Sequence, residues 1–393
     1  MIAARRRFAA LAVLLAAATA VTLATPSGAQ FVDPGTVRGA FGTVDAVPLE
    51  LDGGLDAGDQ WSLGWTADGE LFSWGRATGG RLGDGRTDGS TLRPAPVALP
   101  SGARVTDAAA GIDLGIALTT DGGVWTWGSP AIANNDATPA RVAFFDTLGD
   151  PVVGVDAGGY YYLAWTQSGA LYSWGLPDFR LGRPASTPQD PPARVTAAGL
   201  GTATVSTASA GRFNGAAVLT SGTAVAWGSG FGTEAGVALG GIPTPALGVS
   251  AGTRSTAAWA GDGQIYLAQG TATATVVPGP TNVVAVVASS PGVETDAAFW
   301  AWDAAGTVYA WGSNASGQLG LGSTAASVAT PTAIPLTGST PATLVAGGGG
   351  HSLYDSGTGT YSAAGDNSWG QLGDGTTTSR NAFAVSIPVQ RWP

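Results

Sequence analysis

The stretch AGIDLGIALTTDGGVWTWG (110–128) decides the fold, because the chain writes it seven times with different letters. The clearer relatives are AGDQWSLGWTADGELFSWG (57–75), AGGYYYLAWTQSGALYSWG (157–175) and AGRFNGAAVLTSGTAVAWG (210–228). AGTRSTAAWAGDGQIYLAQG (251–270), TDAAFWAWDAAGTVYAWG (295–312) and GGGHSLYDSGTGTYSAAG (348–365) are weaker copies. Aligned on the mid-string glycine, the units are marked by Gly69, Gly122, Gly169, Gly222, Gly263, Gly306 and Gly359, with spacings of 41 to 53 residues. A regular period of this size is the mark of a repeat architecture.

Within each unit the letters describe strands. Six residues before the marker stand Leu63, Ile116, Leu163, Ala216, Ala257, Trp300 and Leu353; four before it stand Trp65, Leu118, Trp165, Val218, Trp259, Trp302 and Asp355. Residues two apart on a strand share a face, so these columns predict a buried face with one exception, Asp355. The marker glycine follows Asp, Ser, Ala or Thr, which is hairpin-turn chemistry because glycine accepts positive φ without a Cβ clash. A second strand follows, as in GVWTW (123–127), and Pro-x-x-Val or Pro-x-x-Ile segments such as PAPV (94–97) supply further strands. About four short strands per unit predict an all-β, seven-bladed β-propeller, whose closed ring protects strand edges. The repeats of an open β-solenoid are shorter and more even. FGTVDAVPL (41–49) and NAFAVSIP (381–388) are expected to close the ring, one completing the blade that the other begins.

Composition agrees. The 393 residues are 44% hydrophobic and 11% charged, enough for a large core, and 62 glycines with 24 prolines fit many strands joined by tight turns. Residues 1–29 carry Arg5, Arg6 and Arg7, an apolar run from Phe8, and small residues up to Ala29. This predicts an export leader, with a partial twin-arginine character, ahead of a single domain at 30–393. The mature chain is expected to be secreted, without a membrane span, and monomeric. There is no cysteine and no lysine; all 17 basic residues are arginine, scattered along a chain of net charge −10, which argues against nucleic acid as a partner.

These residues resemble the regulator-of-chromosome-condensation (RCC1) repeat family, in which AxGxxHxxAL, DGxVYxWG and NxxGQLG follow one another. GIALTTDGGVWTWG (115–128) and TVYAWGSNASGQLGLG (307–322) carry the resemblance best, and it covers residues 43–388. It implies a seven-bladed propeller of RCC1-like repeats. It also implies protein recognition: members include exchange factors for small GTPases, and secreted bacterial members that inhibit enzymes by capping them with one face. The chain departs from the pattern. The GQLG turn is full at 317–320 and 370–373, altered to GRLG at 80–83 and FRLG at 179–182, and lost in the second and fifth units. The family histidine survives only as His351, against Trp61, Leu114, Tyr161, Asn214, Ser255 and Ala298.

Catalytic chemistry finds little support. One histidine cannot make a Ser-His-Asp or two-histidine metal motif without further partners, and absence of lysine removes Schiff-base chemistry. The GQLG turn lacks the Lys-Ser/Thr and the strand-to-helix setting of a phosphate loop. His351 is expected in a packing role, and Asp68 and Asp121 as caps of hairpin turns. The rare Glu50, Glu70, Glu234 and Glu294 are the candidates for carboxylate hydrolysis; LDGGLDAGD (51–59) and DGRTDG (84–89) are acidic but lack EF-hand spacing. No cofactor or metal is expected. Of the tryptophans, Trp74, Trp127, Trp174, Trp227 and Trp311, and Trp65, Trp165, Trp259 and Trp302, repeat with the blade and belong to its scaffold. Trp61 and Trp392 have no such place. The candidate binding residues are loop aromatics: Tyr160, Tyr161, Tyr162, Phe144, Phe145, Phe179, Phe231 and Trp369. The expected function is a secreted, non-catalytic scaffold that recognises a protein or cell-surface partner. A carbohydrate or cell-envelope module is the alternative, and an exchange factor a third that the leader disfavours.

Overall fold

The computed structural model describes residues 48–129, 137–185, 187, 191–243, 245–289, 297–336, 344–355, 360–383 and 389–390. The leader, the seventh marker Gly359, Glu294 and Trp392 lie outside the described residues.

The period becomes seven antiparallel sheets around one axis. The first blade is Gly54–Ala57, Trp61–Trp65, Leu71–Arg76 and Ser90–Pro96; the second is Val105–Ala110, Leu114–Thr119, Val124–Gly128 and Ala140–Arg141. The third and fourth begin at Val152–Ala157 and Val205–Ala210, the fifth at Ala246–Ala251 and the sixth at Val283–Ala288. The seventh has three described strands, Leu344–Gly347, His351–Asp355 and Tyr361–Gly365. Each blade's first strand touches the first strands of both neighbouring blades, and Leu344–Gly347 meets Gly54–Ala57, so the ring is closed. The first and last described segments also meet: Pro48 pairs with Gln390 and Leu49 with Val389. Arg380 bridges Gly365 on the outer side of the seventh blade.

Side-chain columns fall where the period places them. Leu63, Leu163 and Leu353 are fully buried, and the nine repeating tryptophans are all buried. Asp355, the exception in its column, is buried too and pairs with Leu344. Close packing dictates the partner of each core tryptophan: a Cβ on Gly154 would lie 2.1 Å from Trp165, and one on Gly248 2.1 Å from Trp259. Outer strands, such as Ser327–Ala333, face solvent.

The hairpin glycines take the positive φ that their turns need, from 75° at Gly263 to 87° at Gly169. Gly373 shows how conformation and space combine. Its φ is +77°, and an added Cβ would lie 2.2 Å from the Tyr361 hydroxyl and 2.7 Å from Trp74 Nε1. Gly89 has the same φ of +77° with nothing within 4 Å. Gly373→Ala is therefore expected to destabilise by about 2–3 kcal/mol and Gly89→Ala by about 1–2, a difference that denaturant unfolding would resolve. Equal losses would show that space around Gly373 is not limiting.

Candidate functional site

The GQLG turn is a latch between blades. In the first blade's copy Leu82 is buried, and the Arg81 carbonyl accepts a hydrogen bond from Trp127 Nε1 of the second blade (2.8 Å). The third blade repeats this: Leu181 is buried and Trp227 Nε1 of the fourth blade donates to the Arg180 carbonyl (2.7 Å). At the seventh, the Gln371 carbonyl receives both Trp74 Nε1 and Ser62 Oγ of the first blade, each at 2.9 Å. In the sixth blade's copy, the Gln318 carbonyl accepts from Ser352 Oγ of the seventh (2.6 Å). Each latch thus joins a buried leucine to a charge-free hydrogen bond across the blade boundary, satisfying a carbonyl that would otherwise be buried alone.

His351 belongs to the same boundary. It is wholly buried, with Nε2 2.8 Å from Ser62 Oγ. Because the single Ser62 proton goes to the Gln371 carbonyl, Nε2–H is the donor to Ser62 and the ring is the neutral Nε2–H tautomer. Burial lowers its pKa to about 4, opposed by the nearby Asp366 carboxylate. It is a packing residue, as its column implied.

A third inter-blade device has no counterpart in the sequence reading. On the first strands, Asp56 accepts the Ala110 N–H (2.8 Å), Asp156 the Ala210 N–H (3.0 Å), Ser209 the Ala251 N–H (3.1 Å) and Ser250 the Ala288 N–H (2.9 Å). Each sits immediately before the Ala that opens a repeat string, so aligning one letter further upstream would have exposed the column. Together they rim an axial cavity of about 110 Å³.

The loops between first and second strands and those between third and outer strands emerge at one end of the ring. There the altered latch copies carry arginine where the full copies carry Gln371 or Gln318. Arg81 is buried and ion-paired with Asp113 (2.5 Å). Burial lowers its pKa, with Asp113 opposing. Arg180 pairs with Asp178 (2.9 Å), while its buried Nε and Nη1 have no hydrogen-bond partner among the described residues. Three guanidiniums converge on one ring: Arg180, Arg212 and Arg254 lie 5.4, 4.7 and 5.0 Å from the Phe213 centroid. Arg180 also covers Tyr160 (5.7 Å) and Phe179 (5.8 Å), and Arg76 covers Trp369 (4.6 Å). Tyr160 links the two halves. Burial foremost, and then the Asp113 charge, raise its pKa, while Arg212, Arg180 and Arg81 pull the other way. The result is an arginine–aromatic arc spanning the first five blades and reaching Trp369 of the seventh, on a chain whose net charge is −10.

The sequence candidates divide on this map. Tyr160, Phe179 and Trp369 are half-buried in the arc. Phe144 is half-buried, but on the connection leading into the third blade, at the opposite end of the ring. Tyr161, Tyr162, Phe145 and Phe231 are buried and correct the expectation that they are loop contacts. Tyr161 is fixed by its hydroxyl to the Asn214 carbonyl (2.8 Å), and Tyr162 stacks on Trp174 at 5.3 Å. Phe145 packs on Trp174 (5.4 Å), and Phe231 joins the core between the fourth and fifth blades, where other units bury the latch leucine. Trp61 is buried and donates Nε1 to the Gly111 carbonyl (3.0 Å). The missed members are Arg76, Arg180, Arg212, Phe213 and Arg254. Their signals in the sequence are the altered letter of FRLG at Arg180 and the arginines that follow the opening glycines, directly at Arg212 and one residue later at Arg254.

Among the carboxylates, Asp121 accepts from the Thr119 hydroxyl, from Arg141 (2.8 Å) and from the Gly123 N–H (3.2 Å), which together hold its pKa near 2. It caps its hairpin, as do Asp262 and Asp303. Among the described residues, no three His, Cys, Asp or Glu side chains gather as a metal site, and no helix is long and apolar enough to cross a membrane.

The family model described as the regulator of chromosome condensation (RCC1) repeat matches residues 68–118 and 305–354. These two stretches match RCC1 repeats. Similar curated proteins are E3 ubiquitin-protein ligase HERC2 of Homo sapiens, 32% identical over 164 residues, and Protein pim1 of Schizosaccharomyces pombe, 27% identical over 319. The chain spans 3% of HERC2 and 53% of pim1, while those matches cover 36% and 74% of it. The fold is shared with human WBSCR16 (TM-score 0.68, 17% identity, covering 82% of this chain and 94% of that one). Prp20p of Saccharomyces cerevisiae, whose structure is described with its binding to Gsp1p and histones, gives a TM-score of 0.62 at 21% identity. That alignment covers 75% of this chain and 80% of Prp20p.

Proposed function

We propose that this RCC1-repeat propeller is an exported, non-catalytic recognition scaffold whose arginine–aromatic face binds an acidic surface of a protein partner. The convergence of Arg180, Arg212 and Arg254 on Phe213 carries the proposal. Guanidiniums stacked on aromatic faces are weakly hydrated and already ordered, so little freedom is lost when a carboxylate docks. Arginine and aromatic side chains are also the residues that dominate interface energies. The protein binding described for Prp20p supports the class of activity and leaves the partner open.

Carbohydrate recognition fits less well. Sugar stacking needs open ring faces, and those of Tyr160, Phe213 and Trp369 already carry guanidiniums. Among the described residues no three His, Cys, Asp or Glu side chains gather, and the sole histidine is buried with its pKa lowered to about 4.

Affinity capture from the producer's surroundings, with wild type and Arg254→Glu as matched baits, tests the proposal. Arg254 is exposed, so the charge reversal leaves the fold intact. The partner's affinity is expected to fall at least about tenfold in the variant, and wild-type binding to weaken with salt. Equal retention by both baits, or capture of a glycan that is lost with Tyr160→Ala, overturns it.

A further inference from the structure

The unit that lost its latch leaves a groove. Between the fifth and sixth blades, the loop from Ile265–Gln269 to Thr275–Val276 reads GTATA (270–274) and has no large apolar residue to bury. Elsewhere the corresponding gap receives Leu82, Leu181, Leu319, Leu372 or, after the fourth blade, Phe231. The sixth blade meets the vacancy with an aromatic pair: Phe299 stacks on Trp311 at 5.2 Å and 13°. The third blade, which also follows a unit without the turn, has the equivalent stack of Tyr162 on Trp174, and there Phe145 closes over it.

Over Trp311 the structure has instead a groove of about 620 Å³, walled by Leu267, Val277, Phe299 and Val328. Three observations say what would fill it. Trp311 Nε1 makes no hydrogen bond among the described residues, whereas Trp74, Trp127 and Trp227 each donate to the carbonyl preceding a latch leucine. Val276, which stands 47% exposed, lies on the groove wall, and large apolar side chains this exposed are rare among the described residues. Arg254, one of the three guanidiniums on Phe213, also lines the groove.

We infer that this groove receives a leucine-sized side chain from a protein partner, with the partner's preceding carbonyl accepting from Trp311 Nε1 and a neighbouring carboxylate facing Arg254. The partner would supply in trans the latch that the fifth unit lacks. The inference rests on the proposed protein recognition at this face and specifies the chemistry of the bound segment.

The test uses the full chain labelled with ¹⁵N and an unlabelled peptide NSWGQLGDG, a copy of residues 367–375 that contains a leucine latch followed by an acid. A saturable shift of the Trp311 indole resonance, assigned through Trp311→Phe, is expected with a dissociation constant of about 1 mM, as one buried side chain and one hydrogen bond allow. The shift should vanish for the peptide with Leu→Gly, and for the Val276→Arg protein, a surface change that leaves the fold intact while closing the groove. No saturable shift at about 10 mM peptide, or the same shift with the glycine peptide or with Val276→Arg, overturns the inference. Val276→Arg and the Leu→Gly peptide leave Arg254 and the rest of the arc unaltered, so loss of the Trp311 shift with partner capture retained, or the reverse, shows which proposal fails.

Discussion

Trp227→Ala is expected to destabilise the propeller by about 3–5 kcal/mol, the range for removing a buried tryptophan from a close-packed core. Trp227 is fully buried, and its ring occupies the space where side chains are missing on two glycines: a Cβ on Gly215 would be 2.2 Å away and one on Gly182 2.7 Å. Neither glycine can fill the void, so the cavity stays open. The substitution also removes the Nε1 bond to the Arg180 carbonyl, which ties the third blade to the fourth. Trp227→Phe isolates that bond, and a loss of about 1–3 kcal/mol is expected from the unsatisfied carbonyl. Urea unfolding followed by tryptophan fluorescence and circular dichroism measures both. A loss under about 1 kcal/mol for the alanine variant would show that the ring collapses freely around the site. The latch also holds the main chain of Arg180, so both variants should weaken partner capture in proportion to the lost stability.

Acidification from pH 6.5 to pH 4 is expected to remove about 3 kcal/mol of stability through His351 alone. The sign follows from its lowered pKa of about 4 in the folded state, against an ordinary value of 6.5. Between these values the unfolded chain takes up a proton and the folded chain does not, so stability is fully present above pH 6.5 and falls as the pH drops through the window. The chain has no other histidine. The depressed carboxylates act in a different range: Asp121, near 2, and the lowered Asp366 and Asp374 lose their contributions only as pH falls below their ordinary 3.8. His351→Gln keeps an N–H donor toward Ser62 and should flatten the unfolding free energy between pH 4 and 6.5. A variant with the same slope as wild type would assign the effect elsewhere.

The latch copies show why the sequence gives one half of their meaning. GRLG and FRLG look like decayed versions of GQLG, and as scaffold they are intact, since Leu82 and Leu181 are buried and both carbonyls are bonded across the boundary. The altered letter contributes to the face: Arg81 meets Asp113, and Arg180 reaches Tyr160, Phe179 and Phe213. Tyr160, Tyr161 and Tyr162 show the converse. Three neighbouring tyrosines are equivalent as letters, yet only the first points into the arc, because the next two start a strand buried on both faces.

By itself, then, the sequence determined the number of blades, the hairpin glycines and the buried columns. These follow from spacing within a unit, where strand alternation and positive φ are local properties. Ring closure decided the rest. The tryptophan-to-latch bonds join residues 46 or more positions apart, and the Phe213 cluster draws arginines from the third, fourth and fifth blades. Neither contact exists until neighbouring blades pack, so no local pattern encodes it; the groove over Trp311 likewise appears only when the sixth blade docks against a fifth that has no leucine to offer.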